Sequence, residues 1–165
     1  VPSSTFLVGV AVFLVLLVLD RWRRQAALRR RTERGQSPRG GSSQDWLATR
    51  LVLETDPDTA RAVVTTVAKA TMSRPEGPDR WALLTEFDRH DATVRLDTRE
   101  PGAATVAPLS APDHDGAPDG SAWLDFRDRV VKAARKAGVP CRTEPSPSFV
   151  ASARRAGKQT WVPRG

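Results

Sequence analysis

Cysteine occurs once, at Cys141, histidine twice, at His90 and His114, and tyrosine not at all. A single cysteine excludes an intramolecular disulfide framework and fits a reducing compartment. It follows Pro140 near an expected helix end, not a helix start that would lower its pKa, and so reads as a buried structural thiol. No nucleophile elbow, phosphate-binding loop or histidine–carboxylate pairing occurs. Both histidines fall in expected turns. The run Asp113-His114-Asp115-Gly116 has calcium-ligand residue types but lacks the closing Glu of an EF-hand loop. No enzyme, cofactor or metal site is therefore expected.

A positive excess is missing from most of the chain. The formal charge is +7, but residues 20–39 hold eight arginines against Asp20 and Glu33, a net of +6. Residues 150–165 add Arg154, Arg155, Lys158 and Arg164 with no acid, which leaves residues 40–149 at −3. A nucleic-acid-binding domain carries its positive charge on a folded face. Here the charge lies in the flanks, and nucleic acid is not an expected partner. Arginine outnumbers lysine 22 to 4, as in proteins from GC-rich genomes.

Long hydrophobic runs are also scarce, with one exception. Residues 6–19 (FLVGVAVFLVLLVL) are uninterruptedly apolar. A membrane span needs about 20 residues. Uncharged residues 2–5 on one side, and Trp22 with snorkelling arginines on the other, supply the difference. A cleaved signal peptide would carry positive charge before the run and small residues after it. This chain has neither, so residues 1–22 are expected to form an uncleaved transmembrane signal anchor. No Lys or Arg precedes Phe6 and seven Arg follow within residues 20–34, which places the N-terminus outside and the remainder in the cytoplasm. Arg21, Trp22, Arg23, Arg24, Arg29, Arg30 and Arg31 are the expected contacts with anionic lipid head groups. Residues 23–43 form a basic juxtamembrane segment and linker, its end Gly- and Ser-rich.

The remaining sequence reads as one small domain over residues 44–145 with a loose basic tail at 146–165. Residues 46–55 alternate as a strand. Asp56-Pro57 starts a helix whose Ala60, Val63, Val64, Val67, Ala68 and Thr71 form one stripe. Residues 73–79 read as a loop, and residues 81–88 and 92–99 as two strands of a hairpin. Residues 100–120, rich in Pro, Gly, Ala and Asp, read as a long mobile loop. Ser121 caps a second helix with Trp123, Phe126, Val130, Ala133, Ala134 and Ala137 on its apolar stripe, ended by Gly138 and Pro140. A short strand follows at 141–144, and an extended piece is expected around 159–162. The order β-α-β-β-α-β predicts a ferredoxin-like sandwich, an α+β fold with two helices on one face of an antiparallel sheet. The third strand, ATVRLDTR, lacks the aromatics with which an RNA-recognition motif stacks bases.

Two stretches resemble the cytoplasmic C-terminal α/β domain of the small-conductance mechanosensitive channel family. In residues 51–69 the matching positions are Asp56, Asp58, Ala60 and Val63. In residues 125–145 they are Ala137, Gly138, Val139 and Pro145. The resemblance spans about 95 residues and implies a cytoplasmic domain carried on a different anchor. It does not extend to that family's pore helix or its β-domain, for which this chain has no counterpart. The functional expectation is a membrane-tethered module that binds a protein partner or self-associates. A channel-related subunit and a sensor of anionic lipid surfaces are the alternatives.

Overall fold

The computed structural model describes residues 42–85, 89–152 and 159–165. Its elements are α1 (Ser43–Leu47), β1 (Thr49–Leu53), α2 (Pro57–Ala70), β2 (Arg74–Gly77), β3 (Arg80–Leu83), β4 (Ala92–Asp97), β5 (Ala104–His114), β6 (Ala117–Pro118), α3 (Ser121–Lys136), β7 (Cys141–Pro145), β8 (Phe149–Ala151) and β9 (Thr160–Pro163). The main sheet runs β2-β3-β4-β5-β1-β7, with every neighbouring pair antiparallel. The class is mixed α and β, built on one large antiparallel sheet.

Register sorts the side chains into two faces. Leu51 and Leu53 of β1 lie opposite Val106 and Ala104 of β5, Leu96 opposite Val106, and Trp81 opposite Val94. Because strand side chains alternate, these residues share one face. Against it pack Ala60, Val63, Val64, Val67 and Ala68 of α2, and Trp123, Phe126, Val130 and Ala134 of α3. The two helices are held at their starts by different devices. The Asp56 carboxylate accepts from the backbone N–H of Asp58 and Thr59 at 3.0 and 2.9 Å, as the sequence predicts for an N-cap before Pro57. For α3 the cap is Gly120, with no side-chain bond of its own, while the Asp119 carboxylate accepts from Ser121 N at 2.9 Å. Ser121 is thus the first helical residue and not the cap.

Four other stretches differ from expectation. Residues 46 and 47 belong to α1, not to the first strand, because Ser42 and Asp45 close a capping box ahead of it. Leu47 from that turn is fully buried, and Trp123 Nε1 donates to Trp46 O at 3.0 Å. Residues 74–77 form the edge strand β2 where a loop was expected. The expected mobile loop at 100–120 contains β5, an eleven-residue strand in the middle of the sheet. The expected loose tail supplies β8 and β9. These pair with each other and, through Trp161 opposite Ala111, with the far end of β5. Phe149 of β8 is 2% exposed and belongs to the core. The extended piece expected around 159–162 is β9.

Among the described residues no helix is long and apolar enough to cross a membrane. The expected span at 1–22 lies outside them.

Gly120 is buried where α3 begins against α1. A Cβ there would meet Ser43 O at 2.7 Å and Leu47 Cγ at 3.2 Å. Gly120→Ala should destabilise the fold by about 1–3 kcal/mol, since the obstructing atom is backbone. Phe126→Ala, which empties a site 2% exposed between the helices and the sheet, should cost about 3–5 kcal/mol. Urea unfolding followed by tryptophan fluorescence measures both.

Candidate interaction surface

The face of the sheet turned away from α2 and α3 carries a network of ion pairs. On β1 and β7, Arg50 lies directly opposite Glu144, and Arg142 opposite Val52. Arg50 Nη2 and Nε donate to Glu144 Oε2 at 2.8 and 3.1 Å, and Arg142 Nε donates to Glu144 Oε1 at 2.9 Å. Arg142 also pairs with Glu54. Hydrogen bonds from the Arg50 side chain, and next from Arg142, hold the Glu144 carboxyl below its ordinary range. Val52, an apolar residue on this face, is only 3% exposed; its cross-strand neighbour Arg142 belongs to that ion-paired cluster.

At the other end of the face Arg80 and Arg95 are direct cross-strand partners. Like charges opposite each other are unfavourable, and here each has a carboxylate nearby: Glu76 at 3.3 Å from Arg80, and Asp97 at 3.9 Å from Arg95. Asp97 also accepts from Arg99 Nε at 2.9 Å. Hydrogen bonds from the Arg99 side chain are the largest cause holding the Asp97 carboxyl down at about 2.

The sheet ends in β7. Glu54 N donates to Pro140 O and Ser146 N to Ala48 O, both in line with the β1–β7 register. Antiparallel ladders alternate, so Arg142 and Glu144 turn their backbone groups to β1 while Cys141, Thr143 and Pro145 turn theirs away. Among the described residues no strand pairs with that outer side. Thr143 and Pro145 are exposed, and Cys141 is a half-buried free thiol packed against the core's margin. The opposite edge, β2, is fully exposed but carries Pro75, Gly77 and a register shift.

The residues with catalytic or metal-binding chemistry do not converge. His90 Nε2 lies 3.1 Å from Met72 O, and His114 is exposed beside Asp115. Asp113 accepts from Gly116 N at 3.2 Å and from Trp161 Nε1 at 2.9 Å, so it anchors a turn to β9. Among the described residues no group of three or more His, Cys, Asp or Glu is placed to hold a metal. A solvent-open groove on α2, of about 420 Å³, is lined by Asp58, Arg61, Ala62, Thr65, Thr66 and Lys69. Arg61 there is committed to Asp79, by Nε at 2.8 Å and Nη2 at 3.2 Å.

The expected lipid contacts Arg21, Trp22, Arg23, Arg24, Arg29, Arg30 and Arg31 lie outside the described residues, as do Arg154, Arg155 and Lys158. Sequence reasoning placed β7 without recognising it as a sheet edge. The alternation of Arg50, Arg80 and Arg95 with apolar neighbours was the available signal for a charged outer face. No protein-family model matches the chain, and neither a curated protein nor a solved structure matches it.

Asp97 sets a measurable pH dependence. A carboxyl whose pKa falls from 3.8 to about 2 on folding stabilises the fold fully above the unfolded value and loses that contribution as pH drops through 2. Arg99→Ala should move the Asp97 titration midpoint up toward the ordinary carboxylate range. Carboxyl-detected NMR reads it, and an unmoved midpoint would assign the shift to another group.

Proposed function

We propose that this chain is a single-pass membrane protein that holds a ferredoxin-like module at the cytoplasmic surface. The module is non-enzymatic and acts by binding a protein partner or another copy of itself through its sheet. The ferredoxin-like reading is supported by the strand order β7-β1-β5-β4. In it β1 and β4 are connected through α2, β5 and β7 through α3, and the β2–β3 hairpin is an addition before β4. The observation that carries the functional reading is the β7 edge. Among the described residues it ends the sheet with outward-facing backbone groups, and no group of His, Cys, Asp and Glu there is placed to hold a metal.

The anchor rests on residues 6–19 and the arginines that follow. Seven Arg in residues 20–34 hold the C-terminal side in the cytoplasm. Arg21, Trp22, Arg23, Arg24, Arg29, Arg30 and Arg31 lie along the head groups of anionic lipid, each basic residue worth about 1 kcal/mol near the surface.

Fractionation of cells expressing the full chain tests this. The protein should resist alkaline carbonate extraction and its C-terminus should be protected from external protease. Replacing the seven arginines of residues 20–34 by glutamine should leave it in the membrane fraction but expose the C-terminus in a large part of the population. Release of the wild-type chain by carbonate would sink the anchor.

A further inference from the structure

We infer that the outer edge of β7, with which no strand among the described residues pairs, is built to receive the same strand of a second copy, running antiparallel about a two-fold axis at Thr143. This rests on the reading of the sheet as the module's interaction surface and names its partner. Three observations carry it.

The first is the orientation of backbone groups. With Arg142 and Glu144 bonded to β1, the free donors of β7 are the N–H of Cys141 and of Thr143. The outward carbonyls are those of Cys141, Thr143 and Pro145. A two-fold at Thr143 joins each Thr143 N–H to the other copy's Thr143 carbonyl, and each Cys141 N–H to the other copy's Pro145 carbonyl. Both outward donors of each copy are satisfied; Pro145 has no N–H to give, so the Cys141 carbonyl is the one outward acceptor the pairing leaves to water.

The second is charge. In this register Arg142 lies opposite Glu144 of the second copy, and Glu144 opposite its Arg142, on the face turned away from α2 and α3. Arg142 is exposed and Glu144 half-buried, with side-chain exposures of 52% and 26%, and the second copy's charges would extend the pairing these two already make within one chain. Slipping by two residues one way sets Arg142 against Arg142, and the other way Glu144 against Glu144. Opposite charges across a strand pair favour it and like charges oppose it. The segment Cys141-Arg142-Thr143-Glu144-Pro145 is thus self-complementary in one register and repelled in its two neighbours.

The third is closure. Pro140 and Pro145 bound the strand, so the exposed ladder is too short for extended edge-to-edge growth. A two-fold pairing buries both β7 edges in one interface and leaves the prolyl, bulged β2 as the outer edge of each copy.

The test uses the full chain in membranes, with Cys141→Ser as background. Thr143→Cys should give a disulfide-linked dimer under mild oxidation, because paired strand residues across such an axis stand about 5.5 Å apart at Cα, within disulfide reach. Thr66→Cys, exposed on α2, should not. In vesicle membranes, energy transfer between differently labelled chains should be lost for Arg142→Glu and for Glu144→Arg, and the double exchange should restore it. Thr143→Pro removes a donor that faces away from β1 and breaks no β1–β7 hydrogen bond, at an edge position where proline's fixed φ is tolerated. It should abolish the dimer while thermal unfolding stays near wild type. Equal crosslinking at Thr66 and Thr143, or a dimer indifferent to the single charge reversals, would overturn the inference. A monomeric wild type that stays in the membrane and retains a protein partner would overturn it too, leaving the proposed function standing. A chain released by carbonate that still dimerises through Thr143 would do the reverse.

Discussion

Strand β5 bonds along its first half to β1 on one side and β4 on the other, and its second half carries β6 and β9. Everything else in the sheet is placed by that division. The β1 ladder ends at Val106, opposite Leu51, before Pro108 is reached, so the proline's missing N–H breaks no bond to β1. On the β4 side the register shifts between Thr93 and Val94, with Ser110 and Pro108 as their partners and Leu109 the extra residue. A bulge turns a strand and increases its twist. The portion past it leaves the main sheet, and the C-terminal hairpin pairs with it there. Phe149 is then buried, and Gln44 Nε2 bonds Phe149 O at 3.0 Å, tying the last segment to the first turn.

The same twist separates two kinds of surface. One face of the sheet is apolar and covered by α2 and α3. The other alternates guanidinium and carboxylate, with Val52, Ala82 and Thr93 buried among them. Long arginine stems cover apolar surface while their heads stay in water. That lets the sheet face turned away from α2 and α3 present charge without a large apolar patch. Such exposed pairs contribute little stability each; their weight lies in register, since a one-residue slip would bring Arg50 and Arg142 to the helix side.

What the sequence made legible follows from signal strength. Asp56-Pro57 with its stripe, and the run from Trp123 to Gly138, are long periodic segments with chemical stops, and both helices stand where expected. Strand β7 sits between Pro140 and Pro145 and was equally clear. Strand β5 was not, because ATVAPLSAPDH mixes small residues with two prolines and alternates only in burial: Ala104, Val106, Pro108 and Ala111 point inward. Alanine and proline carry little strand propensity, and tertiary pairing on both sides decides the outcome. The first turn was misread for a related reason. Trp46 and Leu47 continue an apolar alternation, yet the local Ser42–Asp45 box bends the backbone before it can extend. The edge character of β7 was illegible for a different reason: neighbours in a sheet are set by topology, and no local pattern distinguishes an edge from an interior position.

A short edge with two free donors is a poor basis for association in dilute solution. Two strands of five residues bury little area and must offset the loss of translational and rotational freedom. Confinement changes that balance. Chains anchored through residues 6–19, as proposed, share one surface and one orientation, and restriction to a common plane raises effective concentration without adding a contact. The anchor and the edge therefore belong to one physical argument: the first supplies the concentration that the second, by its brevity, requires.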